Sequence, residues 1–203
     1  MTERKTEISK KVCELYSQYG IRSVTMDDIV SELGISKKTL YQYFKDKTDL
    51  VRAAMDYDFE AKKNEYLNCH DKQINAVEEL INFSIVQLKM VTSHSPTLLY
   101  DLSKYYTEIS IEFQTKKREQ MLKGLLTNLK RGKAEGLYRK DIDENLIAKL
   151  NLVRVEGMMN SKIFKIEELM SKEFFKEAFT YHAYGIVSDK GREILEQNLD
   201  KLK

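Results

Sequence analysis

The sequence predicts an all-α protein, with a three-helix unit at the N-terminus and a larger helical domain after it. Three observations carry this. The 203 residues include one proline and eight glycines, and Leu, Lys and Glu are abundant, so long stretches run without a helix breaker. Apolar residues recur three and four apart through most of the chain. Three helix-start signals fall between Val24 and Val51, in VTMDDIVSELGISKKTLYQYFKDKTDLV.

The first helix is expected from about Thr6 to Tyr19, with Ile8, Val12, Leu15 and Tyr19 facing one core and Gly20 as its stop. Thr25 opens the second, and Asp28 three residues on gives a capping-box-like T-x-x-D. Ile29, Val30 and Leu33 complete a small core with Leu40 and Phe44. Gly34 supplies the left-handed backbone that ends this helix. Ser36 caps a short third helix through Phe44. Two short helices joined by a glycine turn are a helix-turn-helix.

In the third helix Leu40 and Phe44, four apart, share the buried side. Lys37, Lys38, Thr39, Tyr41, Gln42 and Tyr43 spread over the remaining surface. That set suits a DNA major groove: lysines meet phosphates or guanine edges, glutamine pairs with adenine, and a threonine methyl meets a thymine methyl. Thr25 and Ser36, at the two helix starts, join them as candidate DNA contacts. Asp46, with Asp49 three residues on, starts a fourth helix to about Asn68, which carries Leu50, Ala54, Tyr57 and Ala61 on one side. Lys47 in its first turn sits where helix N–H groups favour a phosphate.

These residues resemble, without a gap, the DNA-binding domain of the tetracycline-repressor (TetR) family. They are Gly20, Val24-Thr25-Met26-Asp27-Asp28-Ile29-Val30, Leu33-Gly34-Ile35-Ser36, Thr39-Leu40-Tyr41, Tyr43-Phe44, then Lys47, Asp49 and Leu50. The resemblance covers roughly the first quarter of the chain, and Lys38 and Gln42 lie where the family varies most. It implies a helix-turn-helix DNA-binding domain over 1–50, a connecting helix over 46–68, and a ligand-sensing and dimerisation domain over 51–203. The implied partners are a near-palindromic double-stranded DNA operator, a second copy of the chain in a homodimer, and a small-molecule effector.

Further helices are expected from about Asn75 to Ser93, from Pro96 with Ser95 as N-cap to about Tyr106, and from about Glu108 to Glu135, where Gly136 stops the last. The segment from Gly136 to Asp143 resembles the connector before the penultimate helix pair of TetR relatives, and Asp143 caps the helix that follows. Two helices, about Glu144–Ile163 and Lys172–Val187, are apolar around their whole circumference. A surface helix needs one apolar stripe, so their second apolar side requires a partner. TetR relatives pair their last two large helices with a second subunit as a four-helix bundle. Leu150, Val153, Phe179 and Ile186 are the candidate interface residues. A last amphipathic helix, roughly Asp189 to Leu202, carries Ile194, Leu195, Leu199 and Leu202.

The helices from Asn75 to Glu135, with Glu144–Ile163, are expected to enclose a mostly apolar pocket. Its candidate wall is Phe83, Gln87, Met90, Tyr105, Tyr106, Phe113 and Met158, where aromatics and methionines give an apolar body and phenols a few polar handles. Each of these also suits plain core packing. Asn151 and Arg154 interrupt an apolar helix and are the polar candidates. A buried arginine must be paired, so Arg154 either meets an acid such as Glu112 or waits for an anionic ligand. The helix 46–68 is the expected lever between ligand and DNA.

Net charge is only +2, yet Leu33–Lys47 holds Lys37, Lys38, Lys45 and Lys47 against Asp46 alone. A local basic patch suits specific, salt-sensitive DNA binding rather than coating. Cys13 and Cys69 make neither a disulfide framework nor a metal site and suit a reducing cytoplasm. The N-terminus lacks the apolar core of a signal peptide, and no apolar run approaches a membrane span. There is no G-x-G-x-x-G, P-loop, G-x-S-x-G or H-E-x-x-H. His70, His94 and His182 lack metal-like spacing; His182 reads as a core histidine, with a ligand role as the alternative. No catalytic residue, metal or cofactor is expected. The expected function is a cytoplasmic, ligand-responsive regulator, a repressor that leaves its operator when a small hydrophobic effector binds. An activator or a ligand-independent regulator of the same fold is the alternative. An enzyme on a helical scaffold would need a converging nucleophile, base or metal set.

Overall fold

The helix starts signalled by Thr25, Ser36, Asp46, Ser95 and Asp143 are each made by that side chain, whereas the first helix begins at Glu3, before the expected Thr6, without a side-chain cap. The computed structural model describes residues 2–68, 73–92, 95–161, 163–169 and 171–202, without the side chains of 66–68, 90–92, 159, 160 and 166. Met90, Cys69, His70 and His94 therefore lie outside the described side chains. The helices are α1 (Glu3–Tyr19), α2 (Met26–Leu33), α3 (Lys37–Tyr43), α4 (Lys47–Asn68), α5 (Ala76–Thr92), α6 (Pro96–Tyr105), α7 (Thr107–Ala134), α8 (Glu144–Asn160), α9 (Ile166–Leu169), α10 (Lys172–Ile186) and α11 (Asp189–Asn198), closed by a 3₁₀ turn at Leu199–Leu202. Among the described residues the only extended pairing is an isolated antiparallel bridge between Tyr138 and Val187. The protein is all-α, as the sequence predicts.

Ser95, Asp143, Ser171 and Ser188 each accept the backbone N–H three residues on, at 2.9–3.2 Å, satisfying a donor that the first turn leaves orphaned. Asn75 does the same for α5, accepting from Val77 and Glu78. The short α9 has no sequence signature, because four residues are too few to show a period. Helix α8 stops at Asn160, three residues before the expected end.

The chain packs as two compact units, residues 1–64 with 90–117, and residues 65–89 with 118–203. This division crosses the boundary expected at residue 50, and α4, α5 and α7 each contribute to both units. The first unit buries Ile8, Val12, Tyr16, Ile21, Ile29, Leu40, Phe44, Leu50 and Ala54, together with Leu98 and Leu102 of α6 and Ile109 and Phe113 of α7. Tyr19, expected inside, is 53% exposed, and Tyr16 fills that place. Its hydroxyl meets no partner, so burial pushes the phenol pKa up.

Helix α6 lies against the turn between α1 and α2. Gly20 there has φ 82° and ψ 162°, a region essentially closed to other residues. A Cβ on Gly20 would stand 2.7 Å from Thr97 Cγ2. Arg22 N–H donates to Asp101 Oδ2 at 2.9 Å, and Lys47 Nζ donates to the Ile21 carbonyl at 2.7 Å. Two separate helices, α4 and α6, thus hold one short turn.

The second unit buries Val77, Ile81, Leu129, Leu137, Tyr138, Ala148, Phe179, Ala183, Ile186 and Leu195. A buried polar network crosses it. Asn128 Nδ2 donates to the Ala76 carbonyl at 2.9 Å and to Glu79 Oε2 at 2.8 Å, and the Tyr138 hydroxyl lies 2.7 Å from Asn128 Oδ1. Arg131 pairs with Glu79 and Glu135. Every member has a partner, so the network does not carry the penalty of an unpaired buried group.

Candidate nucleic-acid interface and effector cavity

The helix-turn-helix is built from caps and one glycine. Thr25 Oγ1 accepts the Asp28 N–H at 3.2 Å, and Asp28 Oδ2 accepts the Thr25 N–H at 2.8 Å, a complete capping box. These bonds hold the Asp28 carboxyl below its ordinary pKa. Gly34, at φ 61° and ψ 33°, ends α2 in the left-handed region. Ser36 Oγ accepts the Thr39 N–H at 3.0 Å and lies 2.8 Å from Thr39 Oγ1. The hydroxyls of Thr25, Ser36 and Thr39 are therefore already engaged in shaping the two helix starts.

Leu40 and Phe44 are fully buried, as their spacing requires. The opposite side of α3 presents Lys37, Lys38, Tyr41 and Gln42, all exposed, with Tyr41 at 50%. Lys37 forms a 2.6 Å ion pair with Asp27, which raises its pKa. Lys38, Tyr41 and Gln42 make no side-chain hydrogen bond with any described residue. Tyr43 is half-buried beside Phe44, with ring centroids 6.5 Å apart.

Lys47 differs from expectation. Its ammonium turns back to the Ile21 carbonyl, and burial lowers its pKa. The helix-start argument placed it on a phosphate, but a carbonyl from a turn 26 residues earlier takes it instead. Lys38→Ala is accordingly expected to lower the salt slope of DNA binding by about one. Lys47→Met is expected to leave that slope unchanged and to lower the melting temperature. Titrations at three salt concentrations, beside thermal denaturation, check both.

Sequence reasoning missed Arg22. Its Nη1 donates to the Tyr105 hydroxyl at 2.8 Å and its guanidinium lies 4.6 Å from that ring's centroid. Tyr105 is thus a partner of the α1–α2 turn. Tyr106 and Phe113 pack against the first unit's core. These three candidates belong to the first unit.

The others converge within the second unit. A cavity of about 40 Å³ is lined by Leu80, Phe83, Ser84 and Gln87 of α5, Gln120, Met121, Gly124 and Leu125 of α7, Asn151 and Arg154 of α8, and Phe179 and His182 of α10. Phe83, Gln87, Asn151 and Arg154 were expected there; Gln120, Met121 and His182 join them. Met158 lies beside Arg154, its Sδ 4.0 Å from Nη1. Arg154 does not meet Glu112, which pairs with Arg52 in the first unit. It donates to Asn151 Oδ1 from Nε at 3.2 Å and Nη2 at 2.6 Å, and to the Ala178 carbonyl from Nη1 at 2.9 Å. All of these acceptors are neutral, and desolvation lowers its pKa. Burial, then the Arg154 charge, pushes the His182 imidazole down to about 4.

The open side of α8 is apolar, whereas that of α10 carries Tyr181 beside Glu173 and Glu177. Leu146, Leu150 and Val153 are 56%, 54% and 66% exposed, and Tyr181 is 81% exposed. Phe179 and Ile186, expected on the same interface, are buried in their own unit at 4% and 2%. The expectation of a second apolar side is met by α8 but not by α10, whose apolar residues Phe179, Ala183 and Ile186 turn into their own unit while Lys172, Glu173 and Glu177 face outward. Among the described residues no helix is long and apolar enough to cross a membrane, and no group of three or more metal-ligating side chains converges.

Residues 10–54 match the family model of bacterial regulatory proteins, tetR family. An HTH-type transcriptional regulator of Staphylococcus aureus strain USA300 is 26% identical over 117 residues, a stretch covering 53% of this chain and 63% of that protein. The match thus spans less than two thirds of the relative's length. Among solved structures, a TetR transcriptional regulator from Chloroflexus aurantiacus superposes with a TM-score of 0.69 at 18% identity, covering 91% of this chain and 96% of that one. A protein from Saccharomonospora viridis, described as a transcriptional regulator and solved in complex with choline, gives 0.71 at 17% identity, covering 93% and 100%. At such identities the two likenesses speak for the fold. The amino-terminal match and the helix-turn-helix built residue by residue identify residues 10–54 as similar to the DNA-binding domain of bacterial regulatory proteins of the tetR family.

Proposed function

We propose that the protein is a cytoplasmic DNA-binding transcriptional regulator that works as a homodimer and releases a near-palindromic operator when a small molecule fills the cavity of its second unit. The carrying observation is the open face of α3. Lys38, Tyr41 and Gln42 stand exposed and uncommitted, while Thr25, Asp28, Ser36 and Thr39 are used to build the motif. The tetR-family match over residues 10–54 supports the same reading. Groove-reading helices act in pairs one helical turn apart, roughly 34–36 Å or a multiple of it, which gives the operator its symmetry.

The dimer reading rests on Leu146, Leu150, Val153 and Tyr181, apolar side chains that one chain leaves in water. Val153→Asp is expected to convert a stable dimer into monomers or insoluble protein, read by sedimentation at micromolar concentration. A wild-type monomer under those conditions contradicts it. The effector reading rests on the cavity and is supported by the choline complex of the Saccharomonospora viridis protein. Helix α4, with residues in both units, is the proposed lever. An effector shifts the DNA-bound population only if it binds the DNA-incompetent state more tightly. The test is a mobility shift on the DNA upstream of the protein's own gene, with release by the effector. No retarded band, or a band that no small molecule abolishes, defeats the corresponding half of the proposal.

A further inference from the structure

The cavity has a charge imbalance that packing does not explain. Arg154 is a largely desolvated cation, and among the described residues no carboxylate lies within ion-pair distance of it. Buried charges are ordinarily paired, since neutral acceptors recover only part of what desolvation costs an ion. Glu156, two residues along the same helix, pairs with Arg118 instead. One edge of the guanidinium, Nε and Nη2, converges on the single oxygen of Asn151. That edge is the fork which two carboxylate oxygens match.

Uncommitted donors share the lining. Asn151 is nearly buried, yet its Nδ2 donates to no described residue, and the amides of Gln87 and Gln120 also have no hydrogen bond among the described residues. The same lining includes Phe83, Met121, Leu125 and Phe179, which provide apolar surface. From this juxtaposition we infer that the cavity takes a singly charged carboxylate with an apolar body, its head on the Arg154 guanidinium and Asn151 amide and its body among Phe83, Met121 and Phe179. The inference rests on the effector reading above and names its ligand class.

A single charge follows from the cation count. Among the described residues Arg154 is the only cation in the lining, and His182 is neutral at pH 7, so a dianion such as a phosphate monoester would stay half compensated. The head fits the space as it stands, since about 40 Å³ holds a few water-sized groups. The body enters by displacing side chains, and Met121, unbranched and adaptable, is the one suited to move.

The test is calorimetric titration of the full chain with octanoate, 1-octanol and octyltrimethylammonium, which share one chain length and differ in head charge. Octanoate is expected to bind at least roughly tenfold more tightly than octanol, and the cation not at all. R154M should erase the preference of octanoate over octanol while changing octanol binding less than R154K changes octanoate binding. R154K keeps the charge without the fork and should retain part of the preference, and it decides the matter should R154M fail to fold. Octanol binding as tightly as octanoate overturns the carboxylate inference and leaves the effector cavity standing. An R154M protein that still prefers octanoate also overturns it. Binding of neither octanoate nor octanol overturns the cavity reading and this inference together.

Discussion

Gly20→Val is expected to destabilise the protein by about 3–5 kcal/mol, combining backbone strain of about 1–3 kcal/mol with overpacking of similar size. The backbone at Gly20 lies at φ 82°, ψ 162°, and the first added carbon would stand 2.7 Å from Thr97 Cγ2 and 3.1 Å from Asp101 Oδ2. Neither neighbour gives way freely. Asp101 accepts the Arg22 N–H, and α6 is anchored in the first core by Leu98 and Leu102. For a chain of this length the melting temperature should fall by roughly 6–20 °C. Thr97→Ala in the same background should recover part of the loss, because it removes the clash and leaves the strain. Gly34→Ala is the comparison: its φ is also positive at 61°, but nothing lies within 4 Å of a Cβ there. It should lose only about 1 kcal/mol. Equal losses at the two glycines would show that α6 does not brace the turn.

Acid should destabilise the protein through His182. Its imidazole is pushed down to about 4 from an ordinary 6.5, first by burial and then by Arg154. Between those values the unfolded chain binds a proton that the folded chain refuses, so stability rises with pH across the window and falls as pH drops from 6.5 toward 4. Above pH 6.5 both states are neutral and the effect vanishes. The full window corresponds to roughly 3 kcal/mol. His182→Gln removes this titration. Denaturant unfolding of wild type and variant at pH 7.5, 6, 5 and 4 should give stability curves that converge on acidification relative to their separation at pH 7.5. Parallel curves would mean that His182 is not held neutral.

What the sequence makes legible here is mostly local. A cap and the N–H it accepts are three residues apart, so Thr25, Ser36, Ser95 and Asp143 announce their helices without help from the rest of the chain. The buried side of α3 follows from Leu40 and Phe44 in the same way. Periodicity, however, gives a face and not the core that the face joins. Helix α7 runs without a break from residues packed in one unit to residues packed in the other, so Phe113 joins the first core while Met121 lines the cavity. Tyr105 looks like a pocket wall in the sequence and proves to be a platform for Arg22, 83 residues away. Lys47 is misplaced for the same reason, since its acceptor belongs to a distant turn. Arg154 is the instructive mixture. Its position in an apolar helix marks it as polar and buried, but only the fold shows that its partners are an amide and a carbonyl rather than an acid.

The measurement closest to the central proposal is fluorescence anisotropy of wild type and Tyr41→Ala on a labelled duplex from upstream of the protein's own gene, beside a scrambled duplex. Tyr41 is exposed, holds no structural bond and lies between Lys38 and Gln42 along the open face of α3. The expected result is saturable wild-type binding, weaker at higher salt and weaker on the scrambled duplex. Tyr41→Ala should bind roughly tenfold or more weakly with an unchanged melting temperature. Equal binding to both duplexes, or a Tyr41→Ala protein that binds as wild type does, contradicts the assignment of α3 as the reading helix.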